Sequence, residues 1–508
     1  GRFMHPESAS VARVDAVIFD LDGTRIDSEP LYEQVDQEFL LSKGVLLPDT
    51  DWSTVVGMGG RAFVAKMKDR FGLPEDVESL VAEKDELYLA RSESVTLFPA
   101  VFELVRYVYV RGVPIAIATS SRRVVLERMM ERTRIGLYFD VTASADDVRH
   151  LKPDPEIYLR VADALGVEPQ RCLVLEDSRY GVAAANAAGM RTIGLPGPDQ
   201  DSSAFEQAAM VIAGGAGALL PEAVIDRFFC SGEPEVHEPT DDQVRRFRKV
   251  VFDHAARHPR PMPWRLTDDP YKILLSEFML QQTQVKRVVP KYTEFIERFP
   301  TVRSLAEATA GEVLAMWQGL GYNRRGKFLH SAARAVVERH GGHVPASLEE
   351  LQNLPGVGEY TAAAVMAFAF HEPVVVVETN IRRAVLHLLC ACEAAVPEAS
   401  VRRAVARLVD SDDPRRWYYA FMDYGAYLGR LLPNRNRRSA AYTRQSRFEG
   451  SVRQVRGQIV RVLTQEGALD VRRLEERLGP GDDRFGAALD GLLKEGLVEL
   501  REGRITLP

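Results

Sequence analysis

The stretch VDAVIFDLDGTRIDSEP, residues 14–30, runs four apolar residues, Ala16–Phe19, straight into Asp20, Leu21, Asp22, Gly23 and Thr24. A short unbroken apolar run that ends in turn residues reads as a strand buried on both faces. VPIAIATSS (113–121), CLVLEDS (172–178) and RTIGLPG (191–197) repeat the pattern, each followed by a helical periodicity. Strands alternating with helices predict an α/β, Rossmann-like doubly wound sheet. Between Glu29 and about Ser92 the chain has helical rhythm only, which predicts an α-helical cap over that sheet.

Beyond this region the character of the sequence changes twice. SGEPEVHEPTDD (231–242) is rich in proline and acid and reads as a linker. From residue 243 the pattern is almost wholly helical, and the last sixty residues read as three short amphipathic helices and a hairpin with Glu502-Gly503 at its turn. The expected domains are 13–228 (cap about 28–92), a linker at 229–242, an all-α domain at 243–448 and a small winged-helix domain at 449–508. The 508 residues, 46% hydrophobic, suit about three cores. No window reaches the roughly 20 apolar residues of a membrane helix, so no membrane partner and a cytoplasmic location, at the nucleoid in a bacterium, are expected. Four cysteines, Cys172, Cys230, Cys390 and Cys392, are too few and too poorly spaced for a disulfide framework and read as reduced thiols. The net charge of −7 hides an asymmetry: 24 Lys+Arg against 39 Asp+Glu in residues 1–240, and 41 against 33 in 241–508. The basic half makes a polyanion a candidate partner, although a solvated basic surface accounts for the charge equally well.

Ligands in open α/β sheets sit at the carboxyl ends of strands. There this sequence places Asp20 and Asp22, Thr119, the adjacent acids Glu176 and Asp177, and Lys152 in HLKPDPEIY. Helix capping and surface charge would explain one such pair, but hardly four strand ends together. DLDGT, IATSS, LKPDP and EDSRYGVAAANAAG, in this order and spacing, resemble the haloacid dehalogenase superfamily, in its α-capped phosphatase and phosphoglucomutase-like branch, over about residues 13–225. The resemblance implies Asp20 as the nucleophile of an aspartyl-phosphate mechanism and Asp22 as general acid and then base. It implies Mg2+ held by Asp20, Glu176, Asp177 and the backbone carbonyl of Asp22, with Thr119 and Lys152 on the phosphoryl oxygens. Arg25 departs from the family's apolar residue, and Tyr32 stands near the place of a mutase histidine, which favours a phosphatase over a mutase; the cap favours small phosphorylated metabolites as substrates. Arg61, in the cap, is a candidate substrate contact.

In the helical half, LQNLPGVGEYTAAAV (351–365) breaks two helices at Leu354-Pro355-Gly356-Val357-Gly358. Gly356 and Gly358 allow a tight turn that bares amides at the next helix N-terminus, which suits a phosphate. Upstream, SEFMLQQTQV puts Glu277 in an apolar helix beside Gln281, Gln282 and Thr283, side chains suited to hydrogen-bonding bases. Downstream, VVVVETN (374–380) drives a valine run into Glu378 and Asn380. PWR, SEFMLQQTQV, WQGLGYNRR with Tyr322, LPGVGEYTA and FMDYGAYLG together resemble the helix–hairpin–helix base-excision glycosylases, nearest the A/G-specific adenine glycosylases, over about 243–430. The resemblance implies double-stranded, mismatched or oxidised DNA as partner, Glu277 as the acid that protonates the base, and Glu378, usually Asp, as the carboxylate that stabilises or attacks the sugar cation. A structural ion pair of Glu378 with Arg382 or Arg383 is the plainer alternative.

Tyr360 stands where lyase-competent relatives carry a lysine, which implies a monofunctional glycosylase. The family's four cluster-binding cysteines are missing, so no iron–sulfur cluster is expected; Arg435, Arg437 and Arg438 open an arginine-rich segment that offers phosphate contacts instead. The domain that reads 8-oxoguanine is missing as well, and a winged helix takes its place. The expectation is a fusion of a Mg2+-dependent phosphatase with an adenine-excising glycosylase; a glycosylase for another base, or a DNA-binding module without catalysis, stays open.

Overall fold

Ala16–Phe19 is buried at every position, and so are Ile115–Ala118 and Cys172–Glu176. Strands covered on both faces pair in parallel between helical layers. The computed structural model describes residues 13–23, 29–48, 51, 54–55, 58, 60–198, 200–230, 238–433, 435–439, 449–479 and 483–508. The chain forms two compact units, residues 1–250 with 385–396 and 427–438, and residues 251–384 with 397–426 and 439–508.

The first unit holds a six-stranded sheet in the order β3-β2-β1-β4-β5-β6, built from β1 (Ala16–Phe19), β2 (Ile115–Ala118), β3 (Val141–Ala143), β4 (Cys172–Glu176), β5 (Arg191–Gly194) and β6 (Met210–Val211). Every neighbouring pair is parallel, with Phe19 opposite both Ile117 and Leu175. The chain builds outward to β3 on one side of β1 and then crosses to β4 on the other. That reversal opens a crevice at the carboxyl ends of β1 and β4, where Asp20 and Glu176 sit. Strands β3 and β6, three and two residues long, are too short to show a periodicity in the sequence. Between β1 and the helix Pro99–Val110 lie the cap helices Glu29–Ser42, Gly60–Phe71 and Val77–Arg91, with a core of their own that includes Phe39, Phe63, Met67 and Leu80. Within this unit Cys230 and Cys392 form a disulfide, Cα to Cα 5.2 Å, which corrects the expectation of reduced thiols for these two. They lie 162 residues apart, so spacing gave no sign of the pairing. Cys172 and Cys390 are buried thiols.

The second unit is helical. The helix Pro270–Leu280, N-capped by Asp269, is buried from Tyr271 to Met279 apart from Lys272, as befits a helix apolar on nearly every face. Glu277 is the one acid in it. Helix Leu348–Gln352 turns through the 354–358 hairpin into helix Glu359–Ala369. Gly356 has φ +75°, and a Cβ there would lie 2.5 Å from Cβ of Phe328, so only glycine lets the hairpin close onto that side chain. The valine run is neither strand nor helix. It is an extended lead-in with Val376 alone fully buried, pinned by the Tyr418 hydroxyl, which donates to the Val374 carbonyl (2.6 Å) and accepts from the Val376 amide (3.2 Å). Residues 452–506 form the helices Val452–Glu466, Val471–Leu478 and Arg484–Lys494 and an antiparallel hairpin of β7 (Glu499–Arg501) and β8 (Arg504–Thr506). Its turn is Glu502-Gly503, both at positive φ as a tight hairpin demands. Their core, Val455, Ile459, Leu463, Phe485, Leu492 and Ile505 among others, also takes in Leu314. No helix among the described residues is long and apolar enough to cross a membrane.

Candidate active sites

At the crevice of the first unit, Lys152 reaches under β1 and β4. Its ammonium donates to Asp20 Oδ1 (2.7 Å), the Ala118 carbonyl (2.9 Å) and Glu176 Oε1 (2.5 Å). Tyr158 also donates to Glu176 Oε1, at 2.5 Å. Burial, and then the charge of Glu176, push the Asp20 carboxyl well above the ordinary range; the Lys152 ammonium opposes this. Burial works against that ammonium, but Asp20 and Glu176 outweigh it and hold its pKa well above the usual value. Asp177 closes in over Gly23, at φ +62°, where a Cβ would lie 1.7 Å from Asp177 Oδ2. Oxygens of Asp20, Glu176 and Asp177 lie within 4.8 Å of one another. Three converging carboxylates against one lysine leave an excess of negative charge, and oxygen ligands at this spacing fit a hard divalent cation.

Asp22 accepts from Ser121 Oγ at 2.7 Å and Thr119 Oγ1 at 3.5 Å, and Ser121 in turn hydrogen-bonds the Tyr32 hydroxyl of the cap at 3.0 Å. Ser121 and Tyr158 were missed in the sequence, because a serine beside a threonine and a tyrosine on an amphipathic helix carry no signal of their own. A cavity of about 910 Å³ lies here, lined from the cap by Tyr32, Arg61, Lys84 and Tyr88 and from the core by Ser121 and Arg122. Arg61 lines it while paired with Glu78. Thr24 and Arg25 lie outside the described residues.

In the second unit Glu277 is 3% exposed, and Tyr360 donates to its Oε2 at 2.9 Å. Burial raises the Glu277 carboxyl to about 7; the Tyr360 hydroxyl pulls it down and the Glu378 charge pushes it further up. Glu378 sits at the N-terminus of helix Thr379–Leu388. Its Oε1 accepts from the amides of Asn380 (2.7 Å) and Ile381 (2.8 Å), and its Oε2 from Asn380 Nδ2 (3.2 Å). Burial raises this carboxyl too, against those two amides and the charges of Arg383 and Arg382. The two arginines that follow it in sequence are engaged elsewhere: Arg382 pairs with Glu398 at 2.7 Å, and Arg383 donates to Asn380 Oδ1 (2.7 Å) and the Gly425 carbonyl (2.8 Å). Burial, and then the charges of Glu277 and Glu378 in that order, push Tyr360 well above its ordinary value. The charges of both carboxylates therefore act on one tyrosine, which hydrogen-bonds Glu277.

The same unit holds a cavity of about 330 Å³ lined by Phe252, Arg260, Arg265, Arg416, Tyr419 and Asp423. Tyr419 links it to the acids: burial and then the Glu277 charge raise its phenol. Arg265 engages Asp423 through both terminal nitrogens, at 2.6 and 2.8 Å.

The remaining expected DNA contacts divide. Gly358 opens helix Glu359–Ala369 with no side-chain cap, and nothing lies within 4 Å of where its Cβ would be, so the hairpin presents bare amides. Gln282 is exposed at φ 54°. Gln281 Nε2 is engaged with Thr361 (3.1 Å) and the Thr283 hydroxyl with Arg325 (2.8 Å). Arg325 is a buried hub that the sequence reading passed over. It binds the carbonyls of Phe278, Met279, Gln281, Leu320 and Gly321. Arg437 is exposed, whereas the side chains of Arg435 and Arg438, and all of 440–448, lie outside the described residues.

Residues 14–189 match the haloacid dehalogenase-like hydrolase family, and residues 275–410 match the HhH-GPD superfamily of base excision DNA repair proteins. An adenine DNA glycosylase of Mycolicibacterium smegmatis is 36% identical over 275 residues, 50% of this chain and 93% of that protein. That of Mycobacterium tuberculosis H37Rv is 35% identical over 50% of this chain and 90% of the relative. The human adenine DNA glycosylase is 38% identical over 36% of each. Among solved structures, CbbY from Rhodobacter sphaeroides in complex with phosphate shares 25% identity over 39% of this chain and 93% of its own (TM-score 0.36). A thermostable thymine-DNA glycosylase shares 28% over 36% and 87% (TM-score 0.32).

Proposed function

The chain belongs to the adenine DNA glycosylases through its helical half and joins to it a haloacid dehalogenase-like hydrolase, and from that premise we propose how each half works and on what. It is a hydrolase with both activities, and its glycosylase half acts on DNA. The glycosylase half excises adenine opposite 8-oxoguanine or guanine and leaves an abasic site. The observation that carries this reading is the buried Glu277, hydrogen-bonded by a Tyr360 that also feels the charge of the half-buried Glu378.

A carboxyl held near 7 is about half protonated at neutral pH, so Glu277 gives its proton to a ring nitrogen of the extruded base as the C1′–N9 bond breaks and its electron pair leaves with the purine. Two helix amides donate to Glu378 and favour its anion, which stabilises or attacks the positive charge that develops on the sugar. One water then completes the hydrolysis at C1′. Tyr360, hydrogen-bonded to Glu277, offers no amine for a Schiff base, so no strand cleavage by β-elimination follows.

The phosphatase half takes small phosphate esters into the cavity beneath its cap, of the kind released from damaged DNA or nucleotides. Asp20 attacks phosphorus, Asp22 protonates the leaving oxygen and then accepts the proton of water, and Lys152 and Thr119 hold the phosphoryl oxygens. Asp20, Glu176 and Asp177, with the Asp22 backbone carbonyl, would hold Mg2+, which supplies neutralisation of phosphate charge when bound. Residues 13–228, 243–448 and 449–508 are read as the three domains, the last as a winged helix. The location follows the DNA: cytoplasm, and nucleoid in a bacterium.

Treating a duplex that carries one A·8-oxoG pair with the protein and then alkali tests the glycosylase. The expected result is a strand break only after alkali, lost in Glu378→Ala; absence of any break with the wild type refutes it. A panel of phosphate esters with Asp20→Asn as blank tests the phosphatase, and a clear preference for hexose phosphates overturns the substrate class.

A further inference from the structure

The loop between helices Ala310–Trp317 and Arg324–His340 carries Tyr322 at φ +48°, a left-handed conformation that only a well-fixed non-glycine residue holds. Tyr322 is half-buried, and guanidinium groups approach it from two parts of the chain. Arg325, the buried hub, lies with Cζ 5.5 Å from the ring centroid. Arg453, from the first turn of helix Val452–Glu466, has Cζ at 5.2 Å and donates through Nη1 to the Tyr322 hydroxyl. The glycosylase family match ends at residue 410, so Arg453 comes from sequence outside it.

This contact is not a stray surface arginine. The C-terminal helices share a core with Leu314, on the helix that leads into the Tyr322 loop. Lys327 donates to the Glu495 carbonyl, and the Glu495 carboxylate pairs with Arg456 at 3.0 and 2.5 Å. The docking is thus fixed by an apolar core and by Lys327 on Glu495, which Arg456 holds in place within the module.

The loop also abuts the rest of the DNA-facing machinery. Arg325 ties it to the carbonyls of Phe278 and Met279, at the end of the Glu277 helix. Phe328, four residues beyond Arg324, is the side chain against which the Gly356 hairpin closes. A partly exposed aromatic ring amid arginines, beside a hairpin of bare amides, is built to stack on a base next to a bound backbone.

We propose that Arg453 is a positioning residue for DNA engagement: the C-terminal module is a fixed part of the DNA-binding surface and, through Arg453, sets the Tyr322 ring to stack in the duplex. The inference rests on the glycosylase reading. The test uses the full chain with Arg453→Ala, Arg453→Lys, Tyr322→Phe and the double variant Arg453→Ala/Tyr322→Phe. A duplex with a non-hydrolysable adenosine analogue opposite 8-oxoguanine, and 2-aminopurine as the neighbouring base, reports unstacking by fluorescence and affinity by anisotropy. A normal A·8-oxoG duplex under enzyme excess gives the single-turnover rate.

Arg453→Ala is expected to cut the 2-aminopurine signal and to slow single-turnover excision about tenfold, inside the range that a 1 Å misplacement costs. Arg453→Lys, which can still donate to the hydroxyl, recovers most of both, and the double variant is no worse than the worse single. The proposal is overturned if Arg453→Ala only weakens affinity while the rate at saturation and the 2-aminopurine signal match the wild type, or if the two single effects multiply. Should Arg453→Ala fold poorly, as its unfolding temperature would show, Arg453→Lys and Tyr322→Phe decide by the same criteria. If the wild type excises no base, the glycosylase reading falls, and anisotropy and fluorescence on the analogue still decide the role of Arg453.

Discussion

Glu277→Gln should make the protein more stable and catalytically dead, and the gain should depend on pH. The Glu277 carboxyl moves from 4.5 to about 7 on folding, first because of burial, and at about 1.4 kcal/mol per pH unit that is roughly 3 kcal/mol of cost to the folded state once the group is ionised. A carboxyl with a raised folded pKa gives stability that is full below the unfolded value and is lost as pH rises through about 7. Glutamine never ionises, so the advantage of the variant should be near its minimum at pH 5 and grow by roughly 2–3 kcal/mol by pH 8. Its amide keeps an acceptor for the Tyr360 hydroxyl but brings a donor that needs a partner, which offsets about 1 kcal/mol at every pH. At roughly 2–4 °C per kcal/mol for a unit of this size, the net gain at pH 8 reads as about 4–8 °C in the transition of the glycosylase unit. Thermal unfolding of both proteins at pH 5 and pH 8, with excision and duplex binding measured alongside, tests this. A stability difference that does not change between the two pH values, or excision that survives in Glu277→Gln, refutes the assignment of Glu277 as a carboxyl kept neutral by its surroundings.

Tyr360→Phe removes the hydrogen bond that lowers Glu277, so the alkaline fall of the single-turnover rate should move up from about 7 by roughly one pH unit, read from a pH–rate profile. Glu378→Ala should lower excision by roughly 10³-fold with duplex affinity kept, and should cost about 1 kcal/mol of stability because it also removes the helix cap; single-turnover rates and unfolding measure the two. In Gly425→Ala the new Cβ would lie 1.9 Å from the Asn380 carbonyl oxygen, forcing the backbone beside Glu378 to shift, with an expected loss of about 1–3 kcal/mol and roughly 10²-fold in rate. Mg2+ at a hundred times its Kd should stabilise the first unit by about 2.7 kcal/mol, and Glu176→Gln should abolish most of that shift in a calorimetric scan run without substrate.

Much of this was legible in the chain because the responsible residues lie within continuous motifs. A strand that ends in DLDG, with acid, hydroxyl and lysine following other strand ends, can hardly be arranged except around one crevice, and the parallel sheet brings Asp20, Lys152 and Glu176 into contact there. The bare-amide hairpin was equally readable from Gly356 and Gly358. What stayed hidden depends on partners far off in sequence. The Cys230–Cys392 disulfide spans 162 residues, and Arg453 meets Tyr322 across 131. Gln281 and Thr283 look in sequence like side chains held ready for bases, yet Thr361 and Arg325 occupy them, because a loop at the end of a buried helix must satisfy its polar groups internally. The valines of 374–377 suit a strand or a helix lead-in by composition alone, and the segment is an extended lead-in pinned by one tyrosine hydroxyl.

Glu378 caps a helix, and that alone would explain a carboxylate at its position. Residue choice separates capping from chemistry. The residues favoured at an N-cap are Asn, Asp, Ser and Thr, whose short side chains reach the second and third amides without slack. Glutamate is not among them, and here its Oε1 takes both amides while Oε2 is held only by the side chain of Asn380. The charge of this carboxylate, with that of Glu277, acts on Tyr360. A cap selected for stability alone would have no use for the extra methylene or for the burial that raises the carboxyl. The longer side chain makes sense if the carboxylate must stand further from its helix than an aspartate would carry it, with two helix amides favouring its anion while Glu277 accepts from the Tyr360 hydroxyl.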